Sequence, residues 1–290
     1  MTFIPSDHLT QAVSVVLCGA VTHALFGIAL KKGEDKLALR AMTTWFSALY
    51  YIPLLLVVPL PSVAGFQTLA ISGCVHFLYQ FFQIKSLEHI DISISYPLSR
   101  GITPFLIAIG SMIFLEEVIS LSVMMGICTI VLSVFFLIDY ARLKHMPHFT
   151  SGILWSFLTG ACIATYTLID STGARSEANF LSYIAWFFIF DGIGITFLFL
   201  IKRRKSIIPS MRQEVRRAWL SGLLGAASFG FVMFAFVLAG EHTTVIAGFR
   251  ETSIVFGVLF AYILLGEVVS KRRLFSAVGV FLGAVLLRLG

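Results

Sequence analysis

Six ionisable side chains lie inside long apolar stretches of this sequence, where a charge needs a compensating partner. They are His23, His76, Arg100, Asp191, Arg250 and Glu251. An Arg or Asp at the centre of a membrane helix costs about 2.5–3.5 kcal/mol on insertion scales, so such a residue is by default a functional candidate. A guanidinium can donate two parallel hydrogen bonds to a carboxylate or a phosphate. Arg100 and Arg250 are therefore candidate substrate-binding residues for an anionic group.

The same charges could instead form an internal ion-pair network. The two cations, Arg100 and Arg250, are matched in number by the anions Asp191 and Glu251, so the set can be neutral without a ligand. Arg250 and Glu251 are adjacent, about 100° apart around a helix, and cannot both point at one spot. Carboxylates at membrane depth also relay protons. We interpret Asp191, Glu251 and His76 as a candidate charge network, with protons as the candidate coupling ion.

Aromatic and polar side chains in other apolar stretches could line a cavity. His23 and Tyr79 are candidate lining residues, although a lone histidine on an apolar helix is more often a packing residue. Tyr79 and Tyr166 could also contribute to an aromatic cage around an organic cation. Pro97 precedes Arg100 by three residues and removes a backbone donor, so we interpret it as a helix hinge, with a simple kink as the alternative.

Composition indicates that the elements holding these residues cross a membrane. The 290 residues are 58% hydrophobic and 12% charged, with a mean hydropathy of +0.93. A transmembrane helix needs about 20 predominantly apolar residues. Apolar runs of about that length lie at 9–30, 40–60, 66–84, 92–115, 120–138, 149–170, 179–201, 216–239, 242–265 and 272–288. The sequence therefore predicts an all-α integral membrane protein with ten transmembrane helices.

The distribution of positive charge predicts the orientation of these helices. Of the 21 Lys and Arg residues, 17 lie in connections on one side, while only Arg175 and Arg288 lie on the side of the termini. By the positive-inside rule, both termini are non-cytoplasmic, and we expect a bacterial inner membrane. The run KRRKSIIPSMRQEVRR is then a topology signal, and no nucleic-acid partner is expected. The first apolar run has no Lys or Arg before it, which predicts a retained helix.

The second half of the chain repeats the first. LSRGITPFLIAIGSMIFLEEVIS (98–120) aligns without a gap with GFRETSIVFGVLFAYILLGEVVS (248–270), which matches Arg100 with Arg250 and Glu117 with Glu267. Five helices per half is an odd number, so the two halves are predicted to cross the membrane in opposite senses. We expect one membrane domain of two inverted five-helix repeats, 1–140 and 141–290, a plan that secondary transporters use repeatedly.

Two further patterns concern the ends and faces of these helices. Glu117 and Glu267 each precede a serine by three residues, and such a turn can cap the helix that follows. Gly279 and Gly283 have the small-xxx-small spacing of closely packed membrane helices. This spacing is compatible with packing inside the chain or with a dimer face, so either a monomer or a homodimer is expected.

These motifs together resemble those of a known family. They are His23-Ala24, Lys31, Asp35-Lys36, Tyr96-Pro97, Arg100-Gly101, Leu115-Glu116-Glu117, Arg250-Glu251-Thr252 and Leu265-Gly266-Glu267. The chain is similar over essentially its whole length to the ten-helix, EamA-like members of the drug/metabolite transporter superfamily. The resemblance implies a central cavity lined by helices one to four and six to nine, with Arg100 and Arg250 at or near it. It does not select one substrate among the many metabolites that such proteins carry.

We therefore predict a secondary active transporter that moves a small anionic or zwitterionic metabolite, resembling an amino acid or organic acid, by alternating access. The alternative is an exporter of organic cations or drugs through an aromatic-lined cavity. An intramembrane enzyme would need a nucleophile–base pair, a metal-ligand cluster or a phosphate-binding loop, and the sequence contains none of these. No enzymatic activity, metal or cofactor is expected. The predicted partners are the lipid bilayer and a small-molecule substrate.

Overall fold

The computed structural model describes residues 6–31, 33–138, 143, 146 and 148–290, and these residues form helices and connections without a strand. The described helices are α1 Ser6–Lys31, α2 Lys36–Leu55, α3 Val63–His89, α4 Ile92–Phe114, α5 Leu121–Phe135, α6 Phe149–Ser176, α7 Phe180–Lys202, α8 Ile207–Ala239, α9 Thr243–Arg250, α10 Ser253–Leu265 and α11 Lys271–Arg288. Each of the ten predicted apolar runs coincides with one helix or, for the ninth run, with two.

Short polar side chains begin several of these helices. Asp35 accepts from the Ala38 amide at the start of α2, and Asn179 accepts from the Leu181 amide at the start of α7. The two predicted serine caps are also present, because Ser120 accepts from the amide of Val123 and Ser270 from that of Arg273. Such caps satisfy amides that have no partner within the helix.

The predicted ninth helix is broken at Glu251 and Thr252, between α9 and α10. The Glu251 amide donates to Gly248 O and the Thr252 amide donates to Phe249 O, both at 3.1 Å, so the hydrogen bonds tighten here to a three-residue spacing. Short 3₁₀ steps of this kind inside helices often mark functional hinges. α4, in contrast, is helical on both sides of Pro97.

Within the part of the chain that the structure describes, six helical stretches are long and apolar enough to cross a membrane. They are His8–Lys31, Ser93–Phe114, Phe149–Ser176, Phe180–Lys202, Ile207–Ala239 and Thr243–Leu264. The last of these includes the break at Glu251. α8 begins at Ile207, nine residues before the predicted start, so the second half of the basic run lies on the first turns of a helix.

The helices form two compact units, each built from both halves of the sequence. The first unit comprises Met1–Phe77 and Ile169–Gly240, and in it α1 and α2 pack against α8, with α2 also against α7. The second unit comprises Leu78–Leu168 and Glu241–Gly290, and in it α5 packs against α4 and α11. The predicted repeat boundary at 140/141 and three residues of the charge count, Lys32, Arg142 and Lys144, lie outside the described residues.

The small-residue pattern of the last helix has a packing partner within the second unit. A Cβ added at Gly283 would lie 2.8 Å from the backbone oxygen of Gly126 on α5, and one added at Gly279 would lie against Ser133. The glycines therefore allow α5 and α11 to approach closely, as small residues do between membrane helices.

Candidate functional site

Arg100 on α4 and Glu251 at the helix break form a buried ion pair in the second unit. Arg100 Nη2 lies 3.2 Å from Glu251 Oε1, and the two residues are only 4% and 2% exposed. The angles do not meet those of a hydrogen bond. Arg100 Nη2 is therefore buried without a hydrogen-bond partner among the described residues. The same is true of Arg100 Nε and of Glu251 Oε2.

The break positions Arg250 beside this pair. Arg250 is the last residue of α9, and its guanidinium is within hydrogen-bonding reach of Tyr166 on α6. Its Nε atom is buried and has no hydrogen-bond partner among the described residues. The adjacent side chains of Arg250 and Glu251 thus turn to different partners, as expected from their angular separation around a helix.

Aromatic rings surround the charged groups. The Arg100 guanidinium carbon lies 6.0 Å from the centroid of the Tyr96 ring, within the range of a cation–π contact. Tyr79 and Tyr166 meet edge to face with their centroids 5.7 Å apart. The structure therefore brings four predicted candidates, Arg100, Arg250, Tyr79 and Tyr166, into one neighbourhood with Glu251, and adds Tyr96.

The charges of this neighbourhood do not cancel. Among the described residues of the second unit, Glu251 is the carboxylate that pairs with Arg100, and it also lies near Arg250, so two positive charges accompany one negative charge. Asp191, the second anion of the predicted network, lies in the first unit beside His76. Arg250 is half-buried and its contact with Tyr166 supplies no opposite charge. Because desolvating a charge without a counter-ion is costly, this excess charge favours an anionic ligand.

A second buried cluster lies in the first unit and contains an acid that sequence reasoning missed. Asp170 is 0% exposed, and one of its carboxylate oxygens lies 3.0 Å from His76 Nε2. The hydroxyls of Ser72 and Tyr183 donate to its other oxygen. His76 Nδ1 lies 3.5 Å from Asp191. Asp170 was overlooked because the sixth helix was predicted to end there, whereas α6 continues to Ser176.

Two remaining candidates have different surroundings. His23 lies on α1 in the first unit, with its ring centroid 5.9 Å from that of Phe26, and its assignment to a substrate site stays a prediction. Pro97 lies within α4, one turn before Arg100, and its role as a hinge also stays a prediction.

Glu117 corrects one sequence expectation, because it caps a helix that is distant in the chain. Both of its carboxylate oxygens lie 3.1 Å from the amide of Thr244 at the start of α9, and one accepts from the Thr244 hydroxyl at 2.9 Å. Its repeat counterpart, Glu267, pairs with Arg273 at 3.0 Å. The expected caps of α5 and α11 are supplied by serines, so neither glutamate is needed there.

Comparison with known proteins decides the family. The sequence profile described as the EamA-like transporter family matches residues 10–139 and 150–289. The chain belongs to the EamA-like transporter family. This confirms the resemblance drawn from the motifs, and it makes the chain a membrane protein of a family of transporters rather than of enzymes.

Comparison with solved structures adds information on the fold. No curated protein matches the chain in sequence. Among 29 matching chains of solved structures, one described as "Crystal structure of protein" has a TM-score of 0.76 at 16% identity, covering 96% of this chain and 98% of its own. At that identity the likeness shows a shared fold, and it carries no information on substrate.

Proposed function

We propose that this EamA-like protein is a secondary active transporter of a small anionic or zwitterionic metabolite, resembling an amino acid or organic acid. It works by alternating access in a bacterial inner membrane, with ten membrane crossings arranged as two inverted five-helix repeats. Arg100, Arg250, Tyr79 and Tyr166 contact the substrate, with His23 as a further candidate. Protons are the coupling ion, and the protein acts as a monomer or a homodimer.

The observation that carries this proposal is the excess positive charge around Glu251. Arg100 pairs with Glu251, and Arg250 lies beside this pair against Tyr166. Three nitrogen atoms of the two guanidinium groups, Arg100 Nε and Nη2 and Arg250 Nε, are buried without a hydrogen-bond partner among the described residues. Buried polar atoms normally have partners. A carboxylate or phosphate of the substrate would supply acceptors to these donors and would neutralise the extra charge.

A zwitterion would fit the same groups particularly well. Glu251 Oε2 is a buried acceptor without a hydrogen-bond partner in the described part of the second unit. An ammonium group could donate to this oxygen while the carboxylate of the same molecule accepts from the arginines. The tyrosine rings would then contact the carbon skeleton, as aromatic side chains commonly do in small-molecule sites.

The location of the site at a helix break also supports transport. Discontinuous helices commonly build substrate sites in transporters, because their ends expose backbone groups at membrane depth. Thr252 and Ser253 lie at the break beside Glu251, and the hydroxyl of Ser253 is buried without a hydrogen-bond partner among the described residues. A break also concentrates backbone rotation at a few residues, which alternating access requires.

Organic cations are disfavoured by the same charge count. A cation entering this neighbourhood would meet a net positive charge, and the aromatic rings that could hold it are already close to arginines. The cation exporter is therefore the weaker candidate, and the ligand's charge separates it from the proposed function.

A thermal-shift screen in mild detergent tests the proposal, with ligands grouped as carboxylates, phosphates, zwitterions and organic cations. We expect anionic or zwitterionic ligands to raise the melting temperature, since a ligand bound only by the folded state stabilises by about 2.7 kcal/mol at 100 times its Kd. Arg100→Gln and Arg250→Gln should fold but lose this shift. The matched control is Arg212→Gln, because Arg212 is exposed on α8. Stabilisation by cations alone, or an unchanged response in both variants, would contradict the proposal.

A further inference from the structure

His76 bridges two buried carboxylates in the first unit. Its Nε2 atom lies 3.0 Å from Asp170 Oδ2, and its Nδ1 atom lies 3.5 Å from Asp191 Oδ1. The three residues come from α3, α6 and α7, and they are 6%, 0% and 7% exposed. One imidazole therefore has a buried acid at each of its nitrogen atoms.

His76, Asp170 and Asp191 are here called the array. The number of protons that the array holds determines whether both contacts of the imidazole are favourable. A neutral imidazole carries one N–H and one lone pair. If both carboxylates are ionised, one nitrogen donates a hydrogen bond, while the lone pair of the other faces a carboxylate oxygen. One additional proton, on His76 or on a carboxyl group, makes both contacts favourable. The array thus has a place for one exchangeable proton.

The donors around Asp170 indicate where this proton binds. Asp170 Oδ1 accepts from Ser72 and from Tyr183 at 2.9 Å, and its Oδ2 lies 3.0 Å from His76 Nε2. Because both hydroxyls donate to Oδ1, the other oxygen of Asp170 is placed to accept a further hydrogen bond from Nε2. Asp170 therefore holds the Nε2–H tautomer of His76 and turns the Nδ1 lone pair towards Asp191. The exchangeable proton belongs between His76 and Asp191.

Other side chains also lie near the array. The Phe187 ring lies edge to face with His76 at 4.9 Å, and that of Phe229 on α8 at 6.5 Å. Arg175, five residues beyond Asp170 on α6, donates to Gly240 O at 2.6 Å. Glu177, the next acid along the chain, accepts from Ser62.

We propose that His76 and Asp191 form the proton-binding site of this transporter, with Asp170 as the residue that positions the imidazole. Protonation converts a buried array with net negative charge into one with one negative charge fewer. Chains of Asp, Glu and His inside membrane proteins commonly relay protons in this way. The assignment deepens the proposed function by naming the coupling site, and its role in coupling rests on that function.

The first test measures proton binding without any substrate. Exposed carboxyl groups and histidines also take up protons between neutral and acidic pH, so the infrared difference spectrum of reconstituted wild type is compared with that of each variant. The signal of interest is the protonation of a histidine or a carboxyl group that wild type shows in addition to these exposed groups. Asp191→Asn should abolish this signal, because the asparagine amide can donate to Nδ1 and imitate the protonated state. Asp170→Asn should also abolish the signal, because without the carboxylate the Nε2–H tautomer of His76 is no longer held. Glu177→Gln is the matched control and should retain the signal. No signal in wild type, or an unchanged signal in both variants of the array, overturns the proposal.

The second test uses the ligand that the thermal-shift screen selects, in proteoliposomes. An imposed pH gradient should drive accumulation in wild type, and Asp191→Asn should lose accumulation but retain exchange of labelled for unlabelled ligand. Accumulation that follows a sodium gradient instead would overturn the proton assignment and leave the substrate site intact. Conversely, if no anion or zwitterion is bound, the proposed function fails while the infrared result still decides whether the array binds a proton.

Discussion

Asp35 combines two contacts that can be separated by substitution. Its carboxylate caps α2 through the Ala38 amide and pairs with Arg203, with Oδ2 2.7 Å from Nε and Oδ1 3.3 Å from Nη2. Partial burial acts to raise the pKa of Asp35, but the hydrogen bonds from Arg203 and Ala38 outweigh it and lower the pKa below its usual value. The ionised form is therefore the one that stabilises the fold.

We expect Asp35→Ala to destabilise the protein by about 1–2 kcal/mol at neutral pH, the usual cost of losing a cap. Asp35→Ser should keep the cap and lose the ion pair, so its stability should lie between that of Asp35→Ala and that of wild type. Because the pKa is lowered in the folded state, the contribution of the charge is present above the pKa of the unfolded chain. It is lost as the pH falls through the lowered value.

Melting temperatures in detergent at neutral and acidic pH measure this difference. The gap between wild type and Asp35→Ser should narrow on acidification. Arg203→Gln should reproduce the serine phenotype, while Arg204→Gln, at an exposed neighbouring position, should have little effect. A gap that is the same at both pH values would show that the ion pair does not contribute.

Single residues were predictable where their chemistry conflicts with their surroundings. Arg100 and Arg250 were predicted because a guanidinium within an apolar run is costly unless it has a partner or a ligand. Their partners were less accessible, since Arg100 and Glu251 are 151 positions apart and a single sequence carries no contact information between them. Asp170 was missed for a different reason, because it lies where the sixth apolar run gives way to polar residues and the end of the helix is hard to place from hydropathy. Extending the sixth run by two turns would have exposed it as a buried acid.

At the scale of elements, the start of α9 depends on a residue outside it. Glu117, only 9% exposed, is the described side chain that accepts from the Thr244 amide there. Burial raises the pKa of Glu117, and the hydrogen bonds from Thr244 oppose this rise without reversing it. A raised pKa means that the folded state favours the protonated form, so the contribution of Glu117 to stability is lost as the pH rises through that pKa.

Glu117→Gln should therefore be as stable as wild type or more stable at alkaline pH, because it keeps an acceptor oxygen without a charge. Glu117→Ala should be less stable by about 1–3 kcal/mol, since it leaves buried donors of Thr244 without a partner. Thermal unfolding in detergent at several pH values measures both. Glu267→Ala is the control, because its carboxylate pairs with Arg273 near the surface. Equal losses in the glutamine and alanine variants would contradict this account of the cap.

Helix positions were predicted from hydropathy far better than helix interruptions. The ten apolar runs all coincide with helices, since apolar length is a direct property of the sequence. The break at Glu251 and Thr252 has no proline or glycine at its centre, so the usual local signals are missing. In contrast, α4 contains Pro97 and Pro104 and is nevertheless one continuous helix. Local sequence signals therefore did not locate the interruption, although the residue at the break, Glu251, has a tertiary partner in Arg100.

At the scale of the whole molecule, the fold depends on the pattern of apolar helices, whereas the chemistry of the sites depends on particular charged residues. A solved structure with only 16% identity shares the fold at a TM-score of 0.76. The pattern of apolar helices is thus sufficient for the architecture, because many different apolar side chains can face lipid or fill a helix interface. Two clusters, one around Glu251 and one around His76, lie in different compact units, and we propose different ligands for them, an organic anion and a proton.

Orientation is a whole-molecule property that the charge count predicts and that fusions can measure. With ten crossings and 17 of 21 basic residues on one side, both termini are expected outside the cytoplasm. Alkaline phosphatase is active only outside the cytoplasm of a Gram-negative host, and green fluorescent protein fluoresces only inside. A phosphatase fused after Gly290 should be active, and the fluorescent protein at the same position should be dark.

Fusions after Lys205 provide the matched comparison, because that residue lies in the basic connection between α7 and α8. Three proposed crossings, by α8, by α9 with α10, and by α11, separate it from Gly290, so its two fusions should give the opposite result. A fluorescent fusion at both positions would mean an even number of crossings between them. The most direct explanation would then be that the interrupted pair α9 and α10 enters the membrane and returns to the same side, which would exclude the inverted repeat.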